Sequence, residues 1–182
     1  MEISAREKSI LMGLAREAIH LILGGSVPGT PPAGLITARL GEESGAFVSI
    51  YKNQTLRGSM GLVLPLVPLW LAVRESAVYA AFRDPRFSPI TADEMDAVTL
   101  EIAVLTSHGS AAVSPGVVSG DHGTVYRKDF RQAALLPHRV EVQEGEAWRT
   151  AAYRTGTSGP GPREWDGADV VETFSAEVFR EV

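Results

Sequence analysis

Arg57 and Ser59 flank a single glycine, Arg83-Asp84-Pro85-Arg86-Phe87 follows an apolar run, Glu101 stands in the middle of another, and His122 sits in Gly120-Asp121-His122-Gly123. These are the residues whose types could do chemistry. Ser59 could act as a nucleophile with His122 as its base, and Glu101 could orient His122 or an arginine, provided each side chain lies within hydrogen-bond reach of the next. The competing reading is structural. Glu101 with Arg57 or Arg86 would make a partly buried ion pair, and removing one partner of such a pair costs about 3–5 kcal/mol, so pairing alone would explain these residues. That reading takes Glu101 and Arg86. For Arg57 both readings stand, because Gly58 and Gly61 imply open space beside it, of the kind a ligand or another backbone fills. Arg57, Gly58, Arg86 and Glu101 are therefore the candidate ligand-binding residues, and Ser59 and His122 the candidate catalytic ones.

Other chemistries find little support. The chain has no P-loop, no dinucleotide-binding glycine fingerprint, no nucleophile elbow and no His-Glu-x-x-His. His20, His108, His122 and His138 lack metal-ligand spacing, so no metal site is assigned. The 182 residues include no cysteine, which removes disulfides, thiolate zinc sites, iron–sulfur ligation and a cysteine nucleophile together. Arg127, Lys128 and Arg131 form a small basic cluster. At a formal charge of −5 such a cluster reads as solvated or paired, and the chain has no global electrostatic claim on nucleic acid or anionic lipid. Trp148, Tyr153 and Trp165 read as packing aromatics, since they are not interleaved with basic residues on one strand face. No stretch approaches the roughly 20 apolar residues of a membrane-spanning helix, and the acidic start Met-Glu-Ile-Ser-Ala-Arg-Glu is unlike a signal peptide, so a cytoplasmic protein is expected.

The elements that must position the candidates can be read from periodicity. Ser4 and Glu7 form a capping box, and Ile10, Leu11, Leu14, Ala18, Leu21 and Ile22 follow at helical spacing up to Gly24-Gly25. A Gly/Pro loop runs to Gly34. Ala46 to Tyr51 and Leu56 to Val63, joined by Lys52-Asn53-Gln54-Thr55, predict a β-hairpin with Arg57 and Ser59 on one face and Leu56, Met60 and Leu62 on the other. A nearly all-apolar second helix runs from Pro68 to about Arg83, where Asp84-Pro85 stops it. Thr91 and Glu94 make a second capping box, for a single turn of helix. Val98 to Thr106 predicts a strand with Glu101 opposite to Val98, Leu100, Ile102 and Val104. Beyond it the expectations are a turn at residues 120–123, a short strand from Thr124 to Lys128, a helix around residues 147–154, a loop over residues 156–162 and a final strand from Val170 to Phe179. Strands and helices do not alternate regularly, which favours α+β over a doubly wound parallel sheet.

Taken together, Leu56-Arg57-Gly58-Ser59-Met60-Gly61, Pro68-Leu69, Ala72-Val73-Arg74-Glu75, Ala80 to Phe87 and Leu100 to Leu105 resemble the AMMECR domain family, whose bacterial members are called AmmeMemoRadiSam system protein A. His122-Gly123, Arg127-Lys128, Phe130-Arg131, Leu135-Leu136-Pro137, Trp165 and Phe174 to Phe179 are similar to the family's second half in the same order. The resemblance implies one α+β domain over residues 1–182, with a larger and a smaller lobe, a mostly antiparallel sheet with packed helices, and a cleft near the Arg-Gly strand. It implies no reaction and no cofactor. Through the family's name it implies a Memo-like protein and a radical S-adenosylmethionine protein as partners. The family's hexapeptide is Leu-Arg-Gly-Cys-Ile-Gly, whereas this chain carries Ser59 and Met60 in the fourth and fifth places. Serine is almost wholly protonated at neutral pH, while a few per cent of cysteine is already thiolate, so any nucleophile here is much weaker. The expectation is an accessory domain that binds a small ligand or a partner. The alternatives are an enzyme of modification or acyl transfer using Ser59, and an interaction scaffold.

Overall fold

In the computed structural model the described residues are 2–109, 123–128, 131–135 and 170–181. The elements are α1 (Ala5–Leu23), α2 (Ala38–Gly41), β1 (Ala46–Lys52), β2 (Thr55–Leu62), α3 (Leu69–Phe82), a 3-10 turn (Ala92–Ala97), β3 (Val98–Gly109), β4 (Gly123–Lys128), β5 (Arg131–Leu135) and β6 (Val170–Arg180). The fold is α+β. The chain divides into two compact units, Met1–Val104 with Glu177–Val182, and Leu105–Ala176.

In the first unit β1 lies antiparallel to both β2 and β3, and the end of β6 neighbours β3. Ser4 and Glu7 form the expected capping box of α1, and Gly25, at φ 76°, takes the left-handed conformation just past its end. The strand pairing decides which face is which. Ala46, Val48 and Ile50 stand opposite Val104, Ile102 and Leu100, and all six join Leu11, Ile19, Leu69, Val73 and Ala77 in the core beneath α1 and α3. The helix α3 is apolar almost all round because it packs against α1, β1 and β2 together, and its buried Ser76 donates to the Ala46 carbonyl at 3.1 Å.

The end of β6 and Glu181, which follows it, close this unit through side chains. Lys8 of α1 pairs with Glu177 at 2.7 Å, and Arg16 pairs with Glu181 while donating to the carbonyls of Met95 and Val98. Glu181 accepts from the Leu100 amide at 2.8 Å and donates its own amide to the Leu100 carbonyl at 3.1 Å. In the second unit β4 pairs antiparallel with β5 and with the first part of β6. Gly123 stands opposite the buried Phe174, whose ring occupies the place a Cβ at Gly123 would need.

Sequence periodicity finds α1, the hairpin, α3, β3, β4 and β6. It misses α2, a four-residue helix capped by Thr37, and β5, a five-residue strand. Pro68 is the residue before α3 rather than its first. The expected turn residues 120–122, the helix around 147–154 and the loop over 156–162 lie outside the described residues. No described helix is long and apolar enough to cross a membrane.

Gly58 is where α3 meets β2: a Cβ there would run into the backbone carbonyl of Ala80. Gly13, exposed within α1, has nothing near its missing Cβ. Gly58→Ala should therefore destabilise by about 1–3 kcal/mol, as forced overpacking does. Gly13→Ala should instead stabilise by about 0.5–1 kcal/mol through helix propensity. Urea unfolding of both variants checks the pair.

Candidate functional site

Arg57 projects from β2 onto the segment that follows α3. Its Nε and Nη2 donate to the two carboxylate oxygens of Glu94 at 3.1 and 2.9 Å, and its Nη1 and Nη2 donate to the carbonyls of Ser88 and Pro89 at 2.7 and 3.3 Å. Glu94 also accepts from Lys52 at 3.0 Å and from the Thr91 amide at 3.2 Å, completing the second capping box. Hydrogen bonds from Arg57 and Lys52 hold its carboxyl down at about 2. The space beside Arg57 is not open, in contrast to the expectation from its flanking glycines. Gly58 is covered by Ala80 and Gly61 by the Phe47 ring, so both glycines admit protein neighbours.

Ser59 lies two residues beyond Arg57 on β2, buried. Its amide donates to Asp84 at 2.9 Å and its carbonyl accepts from Arg86 at 3.2 Å. Arg86 in turn grips Asp84 through Nε at 2.9 Å and Nη2 at 2.7 Å. Burial pushes the Asp84 carboxyl up, but the hydrogen bonds from Arg86 and the Ser59 amide outweigh it and leave the group below its ordinary value. The turn that stops α3 thus completes the hydrogen bonding of β2 at Ser59.

On the same face Ser49 stands opposite both Ser59 and Glu101. This places three buried polar residues in one row across β2, β1 and β3, with the Ser49 and Ser59 hydroxyls 2.9 Å apart. Glu101 accepts from the Tyr51 hydroxyl at 3.3 Å and from Arg180 Nε at 2.5 Å. The expected partner of Glu101 was Arg57 or Arg86. The structure instead makes three separate pairs, Arg57 with Glu94, Arg86 with Asp84 and Arg180 with Glu101.

The structure therefore brings Ser59, Arg86 and Asp84 into one cluster, places Glu101 in the same row as Ser59, and turns Arg57 toward Glu94. His122 and the side chains of Arg127, Lys128 and Arg131 lie outside the described residues, as do Trp148, Tyr153 and Trp165. Ser49, Tyr51 and Arg180 belong to the site and were not singled out in the sequence. Only strand register could have identified Ser49, and Arg180 is 79 residues from its partner. Among the described residues no group of three or more His, Asp or Glu is placed to hold a metal ion. Chemically, the face offers linked hydroxyls, a buried carboxylate and an arginine at its rim.

The AMMECR1 family model matches residues 12–179. A protein of Methanosarcina acetivorans is 31% identical over 182 residues, covering 96% of this chain and 92% of its own length. Protein MK0488 of Methanopyrus kandleri is 33% identical over 195 residues, covering 99% and 91%. Among solved structures, the uncharacterised protein PH0010 from Pyrococcus horikoshii is similar at a TM-score of 0.77 and 31% identity, over 94% of this chain and 89% of that one.

The Arg57 and Glu94 pair makes a pH prediction. The folded carboxyl lies near 2 against an ordinary 4.5, so its stabilisation is full above 4.5 and is lost as pH falls from there through 2. Glu94→Gln should lower stability at neutral pH by about 1.5–3 kcal/mol. The deficit relative to wild type should shrink across that acid window, as followed by thermal melts at several pH values.

Proposed function

The chain belongs to the AMMECR1 family, and on that premise we propose that it is a cytoplasmic accessory domain that binds a small ligand or a partner at the sheet face carrying Ser59, Ser49 and Glu101. One observation carries this reading, the row of three buried polar side chains running from the outer strand β2 across β1 to β3, where the opposite face is lined by Val48, Ile50, Leu100 and Ile102. Polar side chains on the second face of an antiparallel sheet are ordinary where that face meets solvent, but here all three are buried. Polar groups kept in such a place must be satisfied and are costly when they are not, so packing alone does not call for them. Arg57, Gly58 and Arg86 support the face from behind and from its edge. A Memo-like protein and a radical S-adenosylmethionine protein remain the proposed partners, on the family's name alone.

An enzyme is the second reading, with Ser59 as nucleophile and His122 as base. The hydrogen bond between the Ser59 and Ser49 hydroxyls favours it, because linked hydroxyls polarise one another.

Amide NMR spectra recorded against a library of metabolites test the first reading. Binding should shift the resonances of Ser49, Tyr51, Ser59 and Glu101, and Ser49→Ala should weaken it by about tenfold, one hydrogen bond to a bound group. Shifts confined to other regions would count against the site. For the second reading, a fluorophosphonate probe should label the wild type and fail to label Ser59→Ala. No labelling, or labelling that survives the substitution, disposes of the enzyme.

A further inference from the structure

Glu101 is almost completely buried, with its side chain 2% exposed, yet its arginine partner has a side chain that is 53% exposed. Such a pair is asymmetric. Burying a carboxylate costs several kcal/mol of lost hydration, and an arginine at the surface returns less of that than a buried one would. The arrangement gains something else, a fixed guanidinium. Arg180 is held at Nε by Glu101, and its plane lies over the Tyr51 ring at 4.6 Å, while the Tyr51 hydroxyl is tied to the same carboxylate. No hydrogen bond to Nη1 or Nη2 forms among the described residues. The two terminal nitrogens therefore present a preorganised fork, the geometry that matches a carboxylate or phosphate through two parallel bonds.

Arg57 and Arg86 are spent on carboxylates and on backbone carbonyls, whereas Arg180 bonds the Glu101 carboxylate through Nε and otherwise meets only the Tyr51 side chain among the described residues.

We infer that Arg180, anchored by Glu101 and stacked on Tyr51, is an oxyanion-binding residue that receives the carboxylate or phosphate group of the ligand. The inference rests on the proposed binding role of this face and adds the ligand's charge. Glu101 and Tyr51 are positioning residues, acting through Arg180.

The experiment follows the Nε–Hε resonance of Arg180 and the ring signals of Tyr51 in the full chain during titration with inorganic phosphate and, separately, with succinate, at ionic strength held constant with sodium chloride. Saturable shifts with either anion are expected, and the tighter of the two identifies phosphate or carboxylate as the group received. Arg180→Lys keeps a cation beside Glu101 but loses the fork, and it should weaken binding about tenfold, one charge-assisted hydrogen bond, with a melting temperature close to wild type. The amide shifts report binding by this variant. No saturable shift with either anion, or equal affinity in wild type and Arg180→Lys, overturns the inference. If equal affinity is seen and Ser49→Ala nevertheless weakens binding, the face still binds ligand and only the role of Arg180 falls. If neither substitution matters, both readings fall together.

Discussion

The Asp84 carboxylate is the contact on which this region of the molecule depends. Its side chain is 1% exposed, and it is met by the Ser59 amide, the Arg86 amide and the Arg86 guanidinium. One residue thereby ends α3, completes the hydrogen bonding of β2 at Ser59 and holds the arginine that caps the Ser59 carbonyl. An outer strand usually leaves such groups open to another chain, and the turn after α3 occupies them. The same turn fixes the start of the segment that Arg57 and Glu94 then fasten to the hairpin. Motifs far apart in the chain, the hexapeptide around Ser59 and the Arg-Asp-Pro-Arg sequence, are thus two halves of one clamp.

That clamp also explains the glycines. α3 sits so close to β2 that the Ala80 carbonyl fills the place of a side chain at Gly58, and Phe47 does the same across the sheet at Gly61. Close approach of a backbone at Gly58 and of an aromatic ring at Gly61, not vacant volume, is what these positions provide. The polar face beyond them is built of different residues, with Ser49 at its centre.

What the sequence made legible was local. Both capping boxes, the helical spacing of α1 and the alternation around Glu101 are each set within a few residues, and each is present in the structure. The elements it missed are short: α2 is one turn and β5 is too brief for period-2 alternation to stand out. Ion-pair partners were not legible, because charge type narrows the choice without fixing it. The sequence reading offered Glu101 two arginines, Arg57 and Arg86, and only the placement of β6 beside β3 brings in Arg180. Ser49 escaped notice for a related reason, since an isolated serine in an apolar strand carries no pattern until register sets it between Ser59 and Glu101.

The lacing of α1 and β3 by Glu177, Arg180 and Glu181 has a consequence for synthesis on the ribosome. The first helix and the hairpin emerge early, but the side chains that close their unit lie beyond residues 105–176. Until those residues have been translated, Lys8 and Arg16 lack their carboxylates and Glu101 lacks its guanidinium. The nascent chain must therefore carry an incomplete first unit through the making of the whole second one, an interval in which its outermost strand position beside β3 stands open to chaperones or to a neighbouring chain on the same message.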